Sequence, residues 1–292
     1  MPLSRRTFLG GAASLRGAVA QPAEIIDVHT HFYDPSRPQG VPWPSKSDSL
    51  LYRTVLPRHF QALTQRLGVT GTVVVEASPW LEDNQWILDL AKENPVIVGL
   101  VGNLTPGAPE FRQNLTRFHK NRLFRGIRFG ADALAGGGQF LDDMKFLADA
   151  DLALDAGGGP TNAPHLLRLT DRIPALRIVI NHLPGERPAE DPIGEFAQRP
   201  NIYAKVSAVL RHDGDRIPTD LNFYRESLDR LWSVFGADRL VYGSNWPVSD
   251  LFGSYELVLK VVREYFAEKG AVASQKFFRG NSLAAYKWTR GS

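Results

Sequence analysis

The sequence predicts an α/β protein built as a (β/α)8 TIM barrel with an added C-terminal helix. Between residues 24 and 269, eight short β-rich runs alternate with eight amphipathic ones, which is the pattern of strand and helix pairs around a barrel. Breakers such as Gly68, Pro95 and Gly236 stand at the joins. A Gly-rich phosphate loop after the first strand is missing, which weighs against the main rival, a doubly wound open sheet. With 292 residues and 43% hydrophobic content, one large core is enough, since such barrels commonly run to about 250 residues as a single domain.

The first strand is placed at Ile25–His29, where paired isoleucines open an apolar run. A Pro- and Ser-rich segment from Tyr33 to Tyr52, carrying Trp43, then reads as a long loop over the catalytic face, before an amphipathic stretch at Pro57–Leu67. The pairs that follow are Thr70–Glu76 with Glu82–Glu93, Val96–Val101 with Pro109–Lys120, and Phe124–Phe129 with Gln139–Ala150. Next come Leu152–Ala156 with Ala163–Thr170, Arg177–Asn181 with Ile193–Gln198, Ile202–Val206 with Asp220–Phe235, and Leu240–Tyr242 with Tyr255–Lys269. Phe277–Trp288 is the added C-terminal helix. On strand two, Thr72, Val74 and Glu76 share one face and are expected inside, leaving Val73 and Val75 for the helix layer; on strand four, Gly126 and Arg128 are expected inside and Ile127 and Phe129 outside.

The strongest chemical signal is Asp27-Val28-His29-Thr30-His31. Residues i and i+2 of a strand point the same way, so His29 and His31 present two imidazoles about 7 Å apart at the backbone, within reach of one metal ion. In a barrel, functional groups gather at the C-terminal ends of the strands. That rule brings His29 and His31, Glu76, Arg128, Asp155, His182, Lys205 and Asn245-Trp246 to one mouth. His59, His119, His165 and His212 fall in helices or loops away from it.

Residues 1–20 read as a twin-arginine-type export signal and residues 21–292 as the barrel. Ser4-Arg5-Arg6-Thr7-Phe8-Leu9 precedes a weakly apolar Gly/Ala stretch, and Ala18-Val19-Ala20 supplies a small-x-small cleavage pattern. The expected location is therefore periplasmic or exported, or cytoplasmic if the signal does not function. Arg5, Arg6 and Arg16 account for the whole net charge of +3, so the remaining chain is balanced and carries no basic footprint for nucleic acid. No stretch of about 20 apolar residues suggests a membrane span. The absence of cysteine excludes thiolate metal sites, disulfides and cysteine nucleophiles.

IIDVHTH at 25–31, IRF at 127–129, INHLPG at 180–185, YAKVS at 203–207 and YGSNWPV at 242–248 resemble the amidohydrolase superfamily, in the amidohydrolase-related branch. More narrowly they are similar to its lactonases, which include fuconolactonase, rhamnonolactonase, pyrone-dicarboxylate lactonase and sulfomuconolactone hydrolase. The resemblance implies a hydrolase acting on a lactone or related ester, with a divalent metal, zinc foremost, held by His29 and His31 and with His182 as a third ligand or a carbonyl-polarising donor. Some lactonase relatives work without metal, so the resemblance leaves both routes open.

One position departs from the pattern. The superfamily usually places an aspartate in Gly-Ser-Asp-Trp-Pro, where this chain has Asn245. A carboxamide orients water or a metal but cannot act as a base near neutral pH. Glu76, Asp155, Asp250 or an unmetallated His182 would have to serve instead. Arg128 and Lys205 point to an anionic or polyhydroxy small-molecule substrate, with Trp246 and the loop residues Trp43 and Trp80 as candidate apolar walls. Two alternatives stand beside the lactonase: a nonoxidative decarboxylase of an aromatic or unsaturated acid on the same scaffold, and a catalytically silent binding protein that would account for Asn245.

Overall fold

Eight parallel strands follow one another around the molecule in chain order. They are β1 (Ile25–Thr30), β2 (Val69–Val75), β3 (Ile97–Asn103), β4 (Phe124–Arg128), β5 (Ala153–Gly157), β6 (Arg177–Asn181), β7 (Ile202–Val206) and β8 (Leu240–Tyr242). The computed structural model describes residues 24–129, 136–157, 161–182 and 192–290. The expected export segment and Pro184-Gly185 lie outside these residues. The seam between β8 and β1 is closed just beyond β8, by a parallel bridge from Thr30 to Trp246 and by His31 N–H donating to the Trp246 carbonyl over 2.9 Å. The result is the (β/α)8 barrel that the alternation predicts.

The outer layer consists of α1 (Pro57–Thr64), α2 (Leu81–Glu93), α3 (Phe111–His119), α4 (Gly138–Asp149), α5 (Ala163–Arg172), α6 (Leu221–Phe235) and α7 (Tyr255–Glu268). Between β6 and β7 the expected helix is a short 3-10 segment, Pro192–Gln198, hemmed in by Pro192 and Pro200 and interrupted by Gly194. Beyond α7, α8 (Ala271–Gln275) continues through a π turn into α9 (Asn281–Tyr286), so the added C-terminal helix is present, with a π turn within it. No helix among the described residues is long and apolar enough to cross a membrane.

Two apolar clusters show which way each strand faces. One joins Ile26, Val28, Val73, Val75, Val98, Ala153, Val179, Tyr203 and Val241, from strands on opposite sides of the ring, with Tyr286 and Trp288 from the chain's end. Residues on opposing strands meet only in the barrel interior, so this cluster is its filling. The other contains Val74, Ile127, Leu154, Ile178 and the inward faces of the helices. Ile127 and Phe129 face the helices as expected. Strand β2 is inverted relative to expectation: Val73 and Val75 point inward and Val74 outward. Both faces of a parallel strand are buried, so alternation yields two sets of residues without saying which set is inside. Glu76 still reaches the mouth because it lies one residue beyond β2, where its N–H bonds the Val101 carbonyl over 2.9 Å.

Candidate active site

The site grows from the end of β1. Thr30 turns outward and bonds the Thr72 hydroxyl at 2.7 Å, while a register irregularity between Asp27 and Thr30 lets the chain place His29 and His31 together. Their ring centroids are 5.0 Å apart, and His182, just past β6, lies 4.5 Å from His29. Only a glycine fits opposite His29: a Cβ on Gly243 would come within 2.8 Å of the His29 Cβ and 3.2 Å of the Lys205 side chain.

Asp27 locks this corner. It is fully buried and accepts from His29 N–H at 3.0 Å, Ser244 N–H at 2.9 Å and the Tyr255 hydroxyl at 2.9 Å. Burial pushes its carboxyl up to about 6, against the pull of those donors. It therefore ties the strand that carries His29 to the turn that carries Asn245.

All three imidazoles are held neutral. Burial, reinforced by the cations Lys205 and Arg128, brings His31 and His182 down to about 3 and His29 well below its ordinary value. His31 Nδ1 lies 3.0 Å from the Val75 carbonyl, which can only accept, so the ring proton sits there and Nε2 keeps its lone pair. His182 Nδ1 is 3.0 Å from the Ser207 hydroxyl. Both nitrogens of His29 are buried without a hydrogen-bond partner. An orphaned buried imidazole next to an oriented one is what a set of nitrogen donors for a cation requires. Among the described residues no group of three or more His, Cys, Asp or Glu side chains stands in metal-ligating geometry, so as placed the three rings lie close together without forming a complete site.

Above them lies a cavity of about 430 Å³, lined by His31, Trp43, Glu76, Ser78, Asn103, Arg128, His182 and Asn245, among others. Arg128 donates through Nε to the Glu76 carboxylate at 2.8 Å and through Nη2 to the Glu76 carbonyl at 2.9 Å. His182 and Asn245 both sit in the left-handed backbone region, at φ of 59° and 65°. Such conformations cost a non-glycine residue energy and recur where a side chain must be aimed into a site. Asn245 is anchored at both ends of its peptide, donating to the His29 carbonyl at 2.9 Å and accepting from Ser249 N–H at 3.0 Å.

Two expected contacts with substrate are corrected. Lys205 is wholly buried, its ammonium 2.7 Å from Asp155, whose other oxygen accepts from the Tyr286 hydroxyl at 2.7 Å. Trp246 is packed between Phe32 and Phe60, with centroids 6.4 and 5.7 Å away, and does not line the cavity. The seam hydrogen bonds turn its side chain out toward the helices. The candidate bases also sort themselves. Asp155 is committed to Lys205 and Tyr286, and Asp250 to Arg53 at 2.7 Å, whereas Glu76 and His182 face the cavity. His59, His119, His165 and His212 do not line it.

Sequence reasoning missed Asn103, Ser78 and Ser207. Asn103 ends β3, two residues beyond the expected strand, and the strand-end rule finds it once β3 is extended. Ser78 lies in a loop with no pattern of its own, while Ser207 stands in the YAKVS motif beside the lysine that drew the eye.

Comparison with known proteins matches residues 26–288 to the family described as amidohydrolase. An L-fucono-1,5-lactonase of Burkholderia ambifaria is 32% identical over 289 residues, covering 91% of this chain and 97% of the relative. A zinc-bound amidohydrolase structure from Burkholderia multivorans superposes with a TM-score of 0.79 at 23% identity, over 91% of this chain and all (100%) of that one. A putative 2-pyrone-4,6-dicarboxylic acid hydrolase of Pseudomonas putida follows the same fold, with a TM-score of 0.70 at 20% identity, over 91% and 98% of the two chains.

Proposed function

The chain belongs to the amidohydrolase family and is a hydrolase, and from that premise we propose that it opens the ring ester of a neutral, polyhydroxylated, sugar-derived lactone. The observation that carries the choice of substrate is charge balance. Among the described residues lining the cavity, Arg128 is matched by Glu76 and the imidazoles are neutral. A dicarboxylate would need two uncommitted cations, whereas hydroxyl groups need the paired donors and acceptors that Glu76, Ser78, Asn103, Arg128 and Asn245 present. The similarity to an L-fucono-1,5-lactonase supports the same reading. A decarboxylase would place the departing carboxylate on Arg128, beside the Glu76 carboxylate that already neutralises it and would repel a second anion.

His29, His31 and His182 would hold a divalent metal, zinc foremost, which when bound supplies Lewis acidity toward the ester carbonyl. The residues themselves perform the remaining tasks. His31, with its proton on the Val75 side, turns a lone pair toward the mouth. Arg128 and Glu76 grip hydroxyl groups on one side of the ring, and Asn245 orients water or the ring ester from the opposite strand end. Proton abstraction falls to Glu76, or to His182 where it is left out of the metal set, the basic groups that face the cavity.

Metal analysis by plasma emission, combined with hydrolysis of a lactone panel before and after chelation, tests this. We expect turnover of sugar 1,5-lactones to exceed that of dicarboxylated lactones, and to fall with metal content. Preference for a dicarboxylate would overturn the charge-balance argument, and full activity in metal-free protein would remove the metal.

A further inference from the structure

Trp43 belongs to two cavities. On one side it lines the mouth, its ring centroid 5.8 Å from that of His31. On the other it closes a small void of about 20 Å³, room for roughly one water, whose remaining walls include Arg37, Asp83, Asn84 and Trp86. The ring therefore stands as a partition between the two spaces.

The far side is fixed by an unusually complete clamp. Arg37 Nη1 and Nη2 bond the two Asp83 oxygens at 2.9 and 3.1 Å, and the guanidinium lies 4.4 Å above the Trp86 ring. Both side chains are largely buried, at 10% and 15% exposure, so this is not one of the solvent-screened pairs that contribute little. Arg37 and Gly40 also close a turn, the Gly40 N–H donating to the Arg37 carbonyl at 2.8 Å, and Trp43 follows three residues later. Asp83 stands in the first turn of α2, where a carboxylate is favoured by the helix dipole. The side-chain amide of its neighbour Asn84 donates to the Asn103 carbonyl and accepts from the Asn103 N–H, at 2.9 Å each, and so holds the end of β3. One helical turn thus secures two parts of the cavity wall, Trp43 through Arg37 and Asn103 through Asn84.

We propose that Arg37 is a positioning residue which, through its clamp on Asp83, holds Trp43 as the wall against the substrate ring and so sets selectivity among lactones without entering the chemistry. The choice of lactones rests on the function proposed above; the positioning role does not. An ammonium cannot form the planar fork or the stack, so lysine is not an adequate substitute at this position.

Four proteins test this: wild type, Arg37→Ala, Trp43→Ala and the double variant, with L-fucono-1,5-lactone and the unsubstituted δ-valerolactone. Arg37→Ala should raise KM for the sugar lactone by about tenfold, leave kcat within about twofold and narrow the preference over valerolactone. In the double variant the loss should be no greater than in Trp43→Ala alone, because both remove one wall. Additive losses, or a fall in kcat with KM unchanged, would overturn the proposal. Should Arg37→Ala fold poorly, Asp83→Asn removes the clamp with less change in shape and carries the same expectation. Acrylamide quenching, taken as the difference between each protein and its Trp43→Phe counterpart, reads the ring directly. Greater quenching of Trp43 in Arg37→Ala supports the positioning role even if no lactone is turned over, a result that would sink the substrate reading alone. Unchanged quenching refutes the clamp whatever the substrate.

Discussion

Arg128–Glu76 and Lys205–Asp155 are both cation–carboxylate pairs that span the barrel between strands, at 2.8 and 2.7 Å. The first sits at the mouth with 24% and 15% of its side chains exposed; the second is sealed, at 0% for both. Water reaches the first, so its partners can exchange a bond with each other for one with a substrate hydroxyl at small cost. The second has no such freedom. Its carboxylate is completed by Tyr286 and its lysine methylenes lie against Gly243, so it acts as a fixed internal charge beneath the histidines. The same residue chemistry serves recognition in one place and architecture in the other, and depth in the barrel decides which.

The contrast predicts its own failure modes. Asp155→Ala would strand the Lys205 ammonium without a partner and should cost about 3–5 kcal/mol of stability, measured by urea unfolding. The double change Asp155→Leu, Lys205→Met should recover most of that loss; if it does not, the pair has a role beyond mutual compensation. Arg128→Ala should do the reverse. We expect stability within about 1 kcal/mol of wild type, yet substrate binding weaker by about 2–3 kcal/mol, seen as a raised KM. An unchanged KM would make the mouth pair structural as well and erase the distinction.

Acid should act on the imidazoles. His31 and His182 are held near 3 in the folded chain against an ordinary 6.5, so the unfolded chain binds more protons between those values. Their contribution to stability is complete above pH 6.5 and is lost as pH falls toward 3, by up to about 1.4 kcal/mol per group for each pH unit. Unfolding of chelator-treated protein at pH 7 and 5 should show the decline, and His31→Gln should flatten it. The smallest effect is expected at Asn245. If Glu76 or His182 supplies the base, Asn245→Asp should change the rate by no more than about tenfold, about 1.4 kcal/mol, while adding a titrating group to the acidic limb of the pH profile. A large gain from an inactive wild type would mean that the native protein binds without hydrolysing.

The strand order, the mouth and the meeting of His29, His31 and His182 were legible because they follow from period and position: alternating elements dictate the barrel, and strand ends dictate the site. What was not legible depended on direction and depth. Val73 and Val74 are chemically alike, so only the closed barrel shows which one looks inward. Trp246 and Asn245 are adjacent, and the turn beyond β8 sends one to the helices and the other to the cavity. Lys205 could be placed at a strand end from sequence, but Tyr286, which completes its Asp155 partner, comes from α9, some eighty residues on from Lys205, and no local pattern announces that contact.

The arrival of Tyr286 and Trp288 inside the barrel has a consequence for how the protein is made. All eight strands have left the ribosome well before α9 does, yet the interior that they enclose lacks its last large side chains, and Asp155 lacks its second partner, until α9 docks. During synthesis the chain must therefore wait, with a ring that is topologically complete and a core that is not. The final commitment to the folded state should await α9, and a nascent chain arrested just short of α9 should remain protease-sensitive in its strands.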